Sequence, residues 1–278
     1  EIGTDMGTIG FFDSEGGLSA ELGHGIGALG TGTDYASTWG ASGNTASAWG
    51  FDVSSHPNVQ YHLPADLLPY GITVKLGYAP NTADGQSNSY KAGGAQADAD
   101  VDGTNATQYK VTASPLDGLK VGADYYEVGG NQASNVSQEK SGGNYYLQYA
   151  MGNFKIGYTK GFVEPGKNTN KYRTNVADTA SALNGLRYES DGIGIEFAVN
   201  DQLSVSFTEE DFDRTNKTMA ATASTATATT VTSSQTTIMA AYNIGGATLG
   251  LSLVDTDNSD YTDSRDETKS IISLALAF

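Results

Sequence analysis

This chain is 278 residues long, with 35 glycines, 16 tyrosines, no cysteine and a formal net charge of −17. The missing thiols exclude a disulfide framework and a thiolate site, which fits an exported protein, and the acidic balance excludes nucleic acid as a partner. No stretch of about 18 consecutive apolar residues exists, so a helical membrane span is excluded, while leucine and isoleucine are too scarce to fill a soluble core of this size.

The first periodic element is MGTIGFF (6–12), which reads as a strand. It is followed by residues 13–56, rich in Gly, Ala and Ser, with two tryptophans and no steady alternation. A connection this long inside a compact fold means function or disorder, and its Trp, Tyr and Leu content favours a segment packed against something. From Pro57 onward, short segments alternate with period two. NVQYHL (58–63) puts Val59, Tyr61 and Leu63 on one side, and ITVKLGY (72–78) opposes Ile72, Val74, Leu76 and Tyr78 to Thr73, Lys75 and Gly77. QYKVTA (108–113) and LKVGADYYEV (119–128) repeat the pattern, with Lys110, Lys120, Asp124 and Tyr126 on the small or polar parity. It recurs in NYYLQYA (144–150), NFKIGYTKGF (153–162), GIGIEFAV (192–199), QLSVSFTE (202–209), TTIMAAYNI (236–244), ATLGLSLV (247–254) and SIISLALAF (270–278). Apolar on one face and small or charged on the other is what a strand between lipid and water needs.

The connections alternate in length. Short turns are expected at 114–118, 151–153, 200–202 and 244–246, and long polar ones near 80–105, 129–143, 162–186, 211–234 and 255–267. The low-complexity stretch 218–234 reads as a flexible external loop. This rhythm describes hairpins with one short and one elaborated end, as in outer-membrane barrels. Tyr125, Tyr126, Tyr145, Tyr146, Tyr149, Tyr158 and Tyr188 cluster near strand ends, where an aromatic girdle would lie.

On these residues the chain resembles the Gram-negative general porins. MGTIGFF resembles the strand entering that family's third loop, Pro57-Asn58-Val59-Gln60-Tyr61 the strand leaving it, and ADLLPYGITVKLGY the next hairpin. SIISLALAF, closing on Phe278, matches the family's aromatic C-terminal strand. The resemblance implies a homotrimeric diffusion channel in the bacterial outer membrane whose third loop, here 13–56, folds inward. It also implies four strands before MGTIGFF. With the chain opening on Glu1 rather than Met, the expectation is an N-terminally truncated sequence, the alternative being a self-contained barrel of about 12 strands.

The fold expected is therefore all-β: a single domain over 1–278, a transmembrane antiparallel barrel with about 12 strands here and 16 in the complete protein. Of the histidines His24, His56 and His62, only His62 lies on a strand's polar parity, and no HExxH, CxxC, GxSxG or P-loop occurs. No enzyme activity and no cofactor are expected. The patch DTDNSDYTDSRDE (255–267) lacks EF-hand spacing and reads as a solvated loop, with weak binding of a divalent cation such as calcium as the alternative. The site expected is the lumen: Lys75, Lys110, Lys120 and Lys155 on the wall, set across the pore from Glu15, Glu21, Asp34 and Asp52 of the long segment. Opposed charges would create a transverse field at the constriction. With lumen acids Asp124 and Glu196 and a charge of −17, mild cation preference is expected for the passage of small hydrophilic solutes. The rival readings are a substrate-specific channel for a small anionic solute, a plugged structural or adhesive barrel, and a soluble β-sandwich.

Overall fold

Period-two segments joined by tight turns, most of them carrying glycine, build one long meander. The computed structural model describes residues 1–13, 15–18, 26–29, 53, 56–64, 66–81, 105–129, 136–138, 140–164, 167–168, 181–219 and 226–276. Its strands are β1 (Ile2–Thr4), β2 (Gly7–Phe12), β3 (Asn58–His62), β4 (Thr73–Ala79), β5 (Asn105–Leu116), β6 (Leu119–Gly129), β7 (Val136–Gln138), β8 (Lys140–Met151), β9 (Phe154–Glu164), β10 (Lys167–Asn168), β11 (Ser181–Ala198), β12 (Leu203–Met219), β13 (Ala226–Ile244), β14 (Ala247–Asp257) and β15 (Glu267–Leu276). Thirteen of these form a single sheet in which each strand neighbours the next along the chain, and β7 and β10 pair separately. All pairings are antiparallel, and β1 and β15 are not paired with each other. The count exceeds the expected 12 by the short strand Ile2–Thr4.

Alternation sorts the side chains onto two faces with inverted polarity. On one face Leu76, Tyr109, Val111, Leu147, Ile193, Ile195, Phe207, Ile238 and Leu251 are exposed. On the other, Gln60, Gln108, Ser206, Thr208, Gln235, Thr237 and Ser252 are buried. A soluble sheet buries its apolar face, so this arrangement suits strands whose outer surroundings are hydrocarbon. Cross-strand neighbours reinforce the outer face, as where the Phe154 and Phe197 rings meet at 4.5 Å. The apolar band ends in charge. Directly beyond Ile193 come Asp191 and Glu189, opposite Asp211 and Asp213, with Arg187 bridging Glu164 at 2.6 Å and Glu189 at 3.1 Å.

The short turns fall as expected, at Asp117–Gly118, Gly152–Asn153, 199–202 and Gly245–Gly246. Gly118 has φ +76°, and a Cβ there would lie 2.2 Å from the Ala150 carbonyl oxygen, so both conformation and space require glycine. Three long connections are shorter than the sequence suggests. Stretch 211–234 is mostly strand, because β12 runs to Met219 and β13 starts at Ala226. β11 likewise begins at Ser181 and β8 at Lys140. Threonine is β-branched and suits strands, and here it pairs across them: Thr215 with Thr230 at 3.2 Å, and Thr232 donating to Asp213 at 2.5 Å. Polarity marked these stretches as leaving the apolar band, not as leaving the sheet.

Candidate functional site

The inner face carries the site. Residues of the 13–56 segment lie against it. Leu18 and Val53 are fully buried with Ala79, Ala106, Tyr126 and Val128, and the Val53 N–H donates to Gln108 Oε1 at 2.7 Å. Farther along, the Ala28 N–H donates to Ser206 Oγ on β12 at 2.9 Å. A Cβ at Gly250 of β14 would stand 2.8 Å from Leu29, while one at Gly77 of β4 would stand 2.9 Å from Leu18. Eight strand spacings separate β4 from β14 in the sheet order. In a flat sheet that is about 38 Å, as far as the eleven residues from Leu18 to Leu29 reach when fully stretched. A flat sheet would thus need the chain at full stretch, whereas a sheet curled as in a barrel brings β4 and β14 within easy reach, with Leu18 and Leu29 on opposite walls of its concave side.

Both ends of the segment are fixed to β3. Asn58 Nδ2 donates to the carbonyl oxygens of Glu15 (3.2 Å), Val53 (3.2 Å) and His56 (2.8 Å), and Gln60 Nε2 donates to the Gly16 carbonyl. His56 is buried, and burial followed by the Lys140 charge holds its imidazole below the ordinary histidine range. His62 points inward, hydrogen-bonded to Gln60 Oε1 at 2.8 Å and stacked on Phe12. It is a partnered side chain.

The four lysines do not form one ring. Lys75 and Lys110 face each other across β4 and β5, and Lys110 faces Asp124 of β6. His62 neighbours Lys75 on the other side. Lys120 and Lys155 stand at other levels, each the second residue of its strand beside a short turn. Lys155 is paired with Glu196 at 3.1 Å. Of the acids expected opposite, Glu15 is exposed beside β3; Glu21, Asp34 and Asp52 lie outside the described residues, as do His24 and Phe278. Further inner charges are Glu210, buried and bonded by Gln235 Nε2 at 3.4 Å, and Glu267, which holds Arg265 and Lys269 at 3.1 Å each.

The tyrosines divide between the faces. Tyr125 and Tyr145 are exposed on the outer face, with Tyr149 and Tyr158 on the same parity, but Tyr126, Tyr146 and Tyr188 are buried on the inner face and belong to no girdle. Glycines on neighbouring strands make room for the first two. A Cβ at Gly142 would meet the Tyr126 ring at 2.6 Å, and one at Gly122 the Tyr146 ring at 2.4 Å. Each ring lies flat over the glycine directly opposite and smooths the wall.

The last long connection is also structured. Tyr261, from the 3-10 turn Ser259–Tyr261, is buried with Tyr188 and Phe212 on the inner face, and Val231 packs against the group. The Arg214 guanidinium stacks 4.8 Å from the Tyr261 ring centre and donates to the Tyr261 carbonyl at 3.3 Å. The 255–267 stretch is thus folded inward rather than simply solvated. Among the described residues no three His, Asp or Glu side chains converge as a metal site. Arg214 and the Tyr188–Phe212–Tyr261 cluster escaped the sequence reading, although extending the alternation of β11 and β12 past the apolar band would have placed Tyr188, Phe212 and Arg214 inward.

No family model and no curated protein matches this chain. Solved structures do. The anion-selective porin from Comamonas acidovorans aligns over 84% of this chain and 64% of its own, at 11% identity and a TM-score of 0.50. A porin refined at 1.8 Å aligns over 99% of this chain and 79% of its own, at 14% identity and a TM-score of 0.53. The chain therefore spans under two thirds of the Comamonas porin. At these identities the likeness establishes the fold: a porin-type antiparallel β-barrel wall.

Proposed function

We propose that this chain forms the wall of an outer-membrane pore that passes small hydrophilic solutes and ions down their gradients. One observation carries the reading: the inverted polarity of the two faces, with isoleucine, leucine and phenylalanine exposed outside and glutamine, serine and threonine buried inside. Such a wall meets lipid on one side and lines water on the other. The barrel fold shared with the two porins supports the same reading, as does the segment bridging the concave side from β4 to β14. That segment is the narrowing element, anchored through Asn58, Gln60, Gln108 and Ser206. Transport of this kind involves no bond making.

Selectivity follows from the charges that line the passage. Lys75 and Lys110 form a basic patch on β4 and β5 facing Asp124, while Glu196, Glu210 and Glu267 stand on β11, β12 and β15. With a net charge of −17, mild cation preference is the reading, and assembly as a homotrimer in the outer membrane accompanies it. Proteoliposome swelling tests the proposal. Rates should fall steeply as sugar size increases; swelling independent of solute size, or no swelling beyond protein-free vesicles, would contradict it.

A further inference from the structure

The geometry points to a second selectivity element at the mouth: connection 258–266 is a fixed inward flap, anchored by Tyr261 and positioned by Arg214. The inference rests on the pore reading above but concerns a different part of the chain, the connection between β14 and β15. The connection joins β14 to β15, yet Tyr261 packs on Tyr188 of β11 and Phe212 of β12. Three strand spacings, roughly 14 Å, separate β14 from β11, so the chain leans inward across β13 to reach them. Tyr188, Phe212 and Arg214 all have inner parity. In the register, Tyr188 lies opposite Val163 and Arg214, in the row that passes through Gly142 and Tyr126 to Gln108.

The flap is built, not draped. The Asn258 N–H donates to Asp266 Oδ1 at 3.2 Å, the Ser264 N–H to Asn258 Oδ1 at 3.0 Å, and the Ser259 N–H to the Arg265 carbonyl at 2.7 Å. Asn258 Nδ2 ties it to the Thr232 carbonyl of β13 at 3.0 Å. Arg265 is held to Glu267. Tyr261 adopts φ +55°, a conformation that costs a bulky residue and that the cluster around its ring must hold in place. Arg214 holds the anchor from below, through its stack on the ring and its bond to the carbonyl. The flap leaves Thr262, Asp263, Ser264, Arg265 and Asp266 exposed, with the Arg265 guanidinium held by Glu267 at 3.1 Å. With Arg265 offset by Glu267, the flap presents the Asp263 and Asp266 carboxylates to entering solutes and covers the Arg214 guanidinium, so it favours cations and obstructs bulky solutes.

The lack of native cysteine makes the test direct. Asp263→Cys is inserted into a planar bilayer and its current followed while a polyethylene-glycol maleimide is added on the long-loop side. Asp117→Cys, exposed in the β5–β6 turn, is the control. A stepwise loss of current for Asp263→Cys, with none for the control, is expected. Complete labelling, confirmed by mass, with unchanged current overturns the flap. Unlabelled protein that opens no channel overturns the pore reading itself, and the flap with it. A second arm does not depend on the cysteine variant folding: Tyr261→Ala should raise single-channel conductance and shift the reversal potential toward anions, and Tyr261→Phe should restore both. Conductance and selectivity unchanged in Tyr261→Ala would equally overturn it.

Discussion

Single side chains carry the electrostatics of the proposed passage. Lys155 and Glu196 are paired at 3.1 Å with the lysine 54% and the glutamate 14% exposed, so the pair stabilises the fold by no more than about 1 kcal/mol. Glu196→Gln should therefore barely move the melting temperature in detergent. It leaves Lys155 uncompensated, so the reversal potential in a salt gradient should shift toward anions; an unchanged potential would place the pair outside the ion path. His56 gives a pH dependence. Its folded imidazole titrates below the ordinary value, so at pH below about 6.5 the unfolded chain binds more protons and folding weakens as pH falls. Above that range His56 is neutral in both states and contributes no slope. Melting in detergent at pH about 7.5 and about 5.5 should show a smaller loss in His56→Gln than in the parent; equal losses would contradict this. The sequence showed which strand residues face inward, because parity alone assigns Lys75, Lys110, Asp124 and His62. It could not show that Lys120 and Lys155 stand at other levels, since levels depend on the pairing register between strands.

At the scale of elements, turns and strand lengths are separate problems. Gly118 combines φ +76° with a carbonyl 2.2 Å from the site of a Cβ, so Gly118→Ala should destabilise the β5–β6 hairpin by about 1–3 kcal/mol. The readout is thermal unfolding in detergent, and a change indistinguishable from zero would contradict the geometry. Gly142→Leu should be costlier than a leucine at an open strand glycine such as Gly3, because the Tyr126 ring occupies the space; equal melting temperatures for the two would mean the ring moves freely. The turns were readable because three carry a glycine with positive φ and the fourth an Asn-Asp pair, in which Asn200 Oδ1 accepts from the Gln202 and Leu203 N–H groups. The extent of β11, β12 and β13 was not. Hydropathy falls where Glu209, Asp211 and Asp213 leave the apolar band, while hydrogen bonding to the neighbouring strand continues to Met219. The inward turn of Tyr261 was hidden for the same reason: acids and serines around it look solvated, and only tertiary contact reveals a buried ring.

Across the whole molecule, one physical statement ties the observations together: a curled sheet with hydrocarbon outside, water inside, and chain folded into the water-filled side. Composition anticipated the outline, because too few large apolar residues for a soluble core and too many for a disordered chain leave a wall between two solvents. The order of MGTIGFF, the long segment and NVQYHL foreshadowed where that segment enters and leaves. Its attachment to Ser206 and Gly250 on the far wall joins residues nearly 180 to over 220 positions apart, and no local pattern encodes such a contact. The central claim is that the concave side conducts. Single-channel recording in planar bilayers measures it directly: the protein should insert and give discrete ohmic current steps whose reversal potential in a salt gradient favours cations. Insertion without current steps, shown by membrane-bound protein in a silent bilayer, would contradict the account.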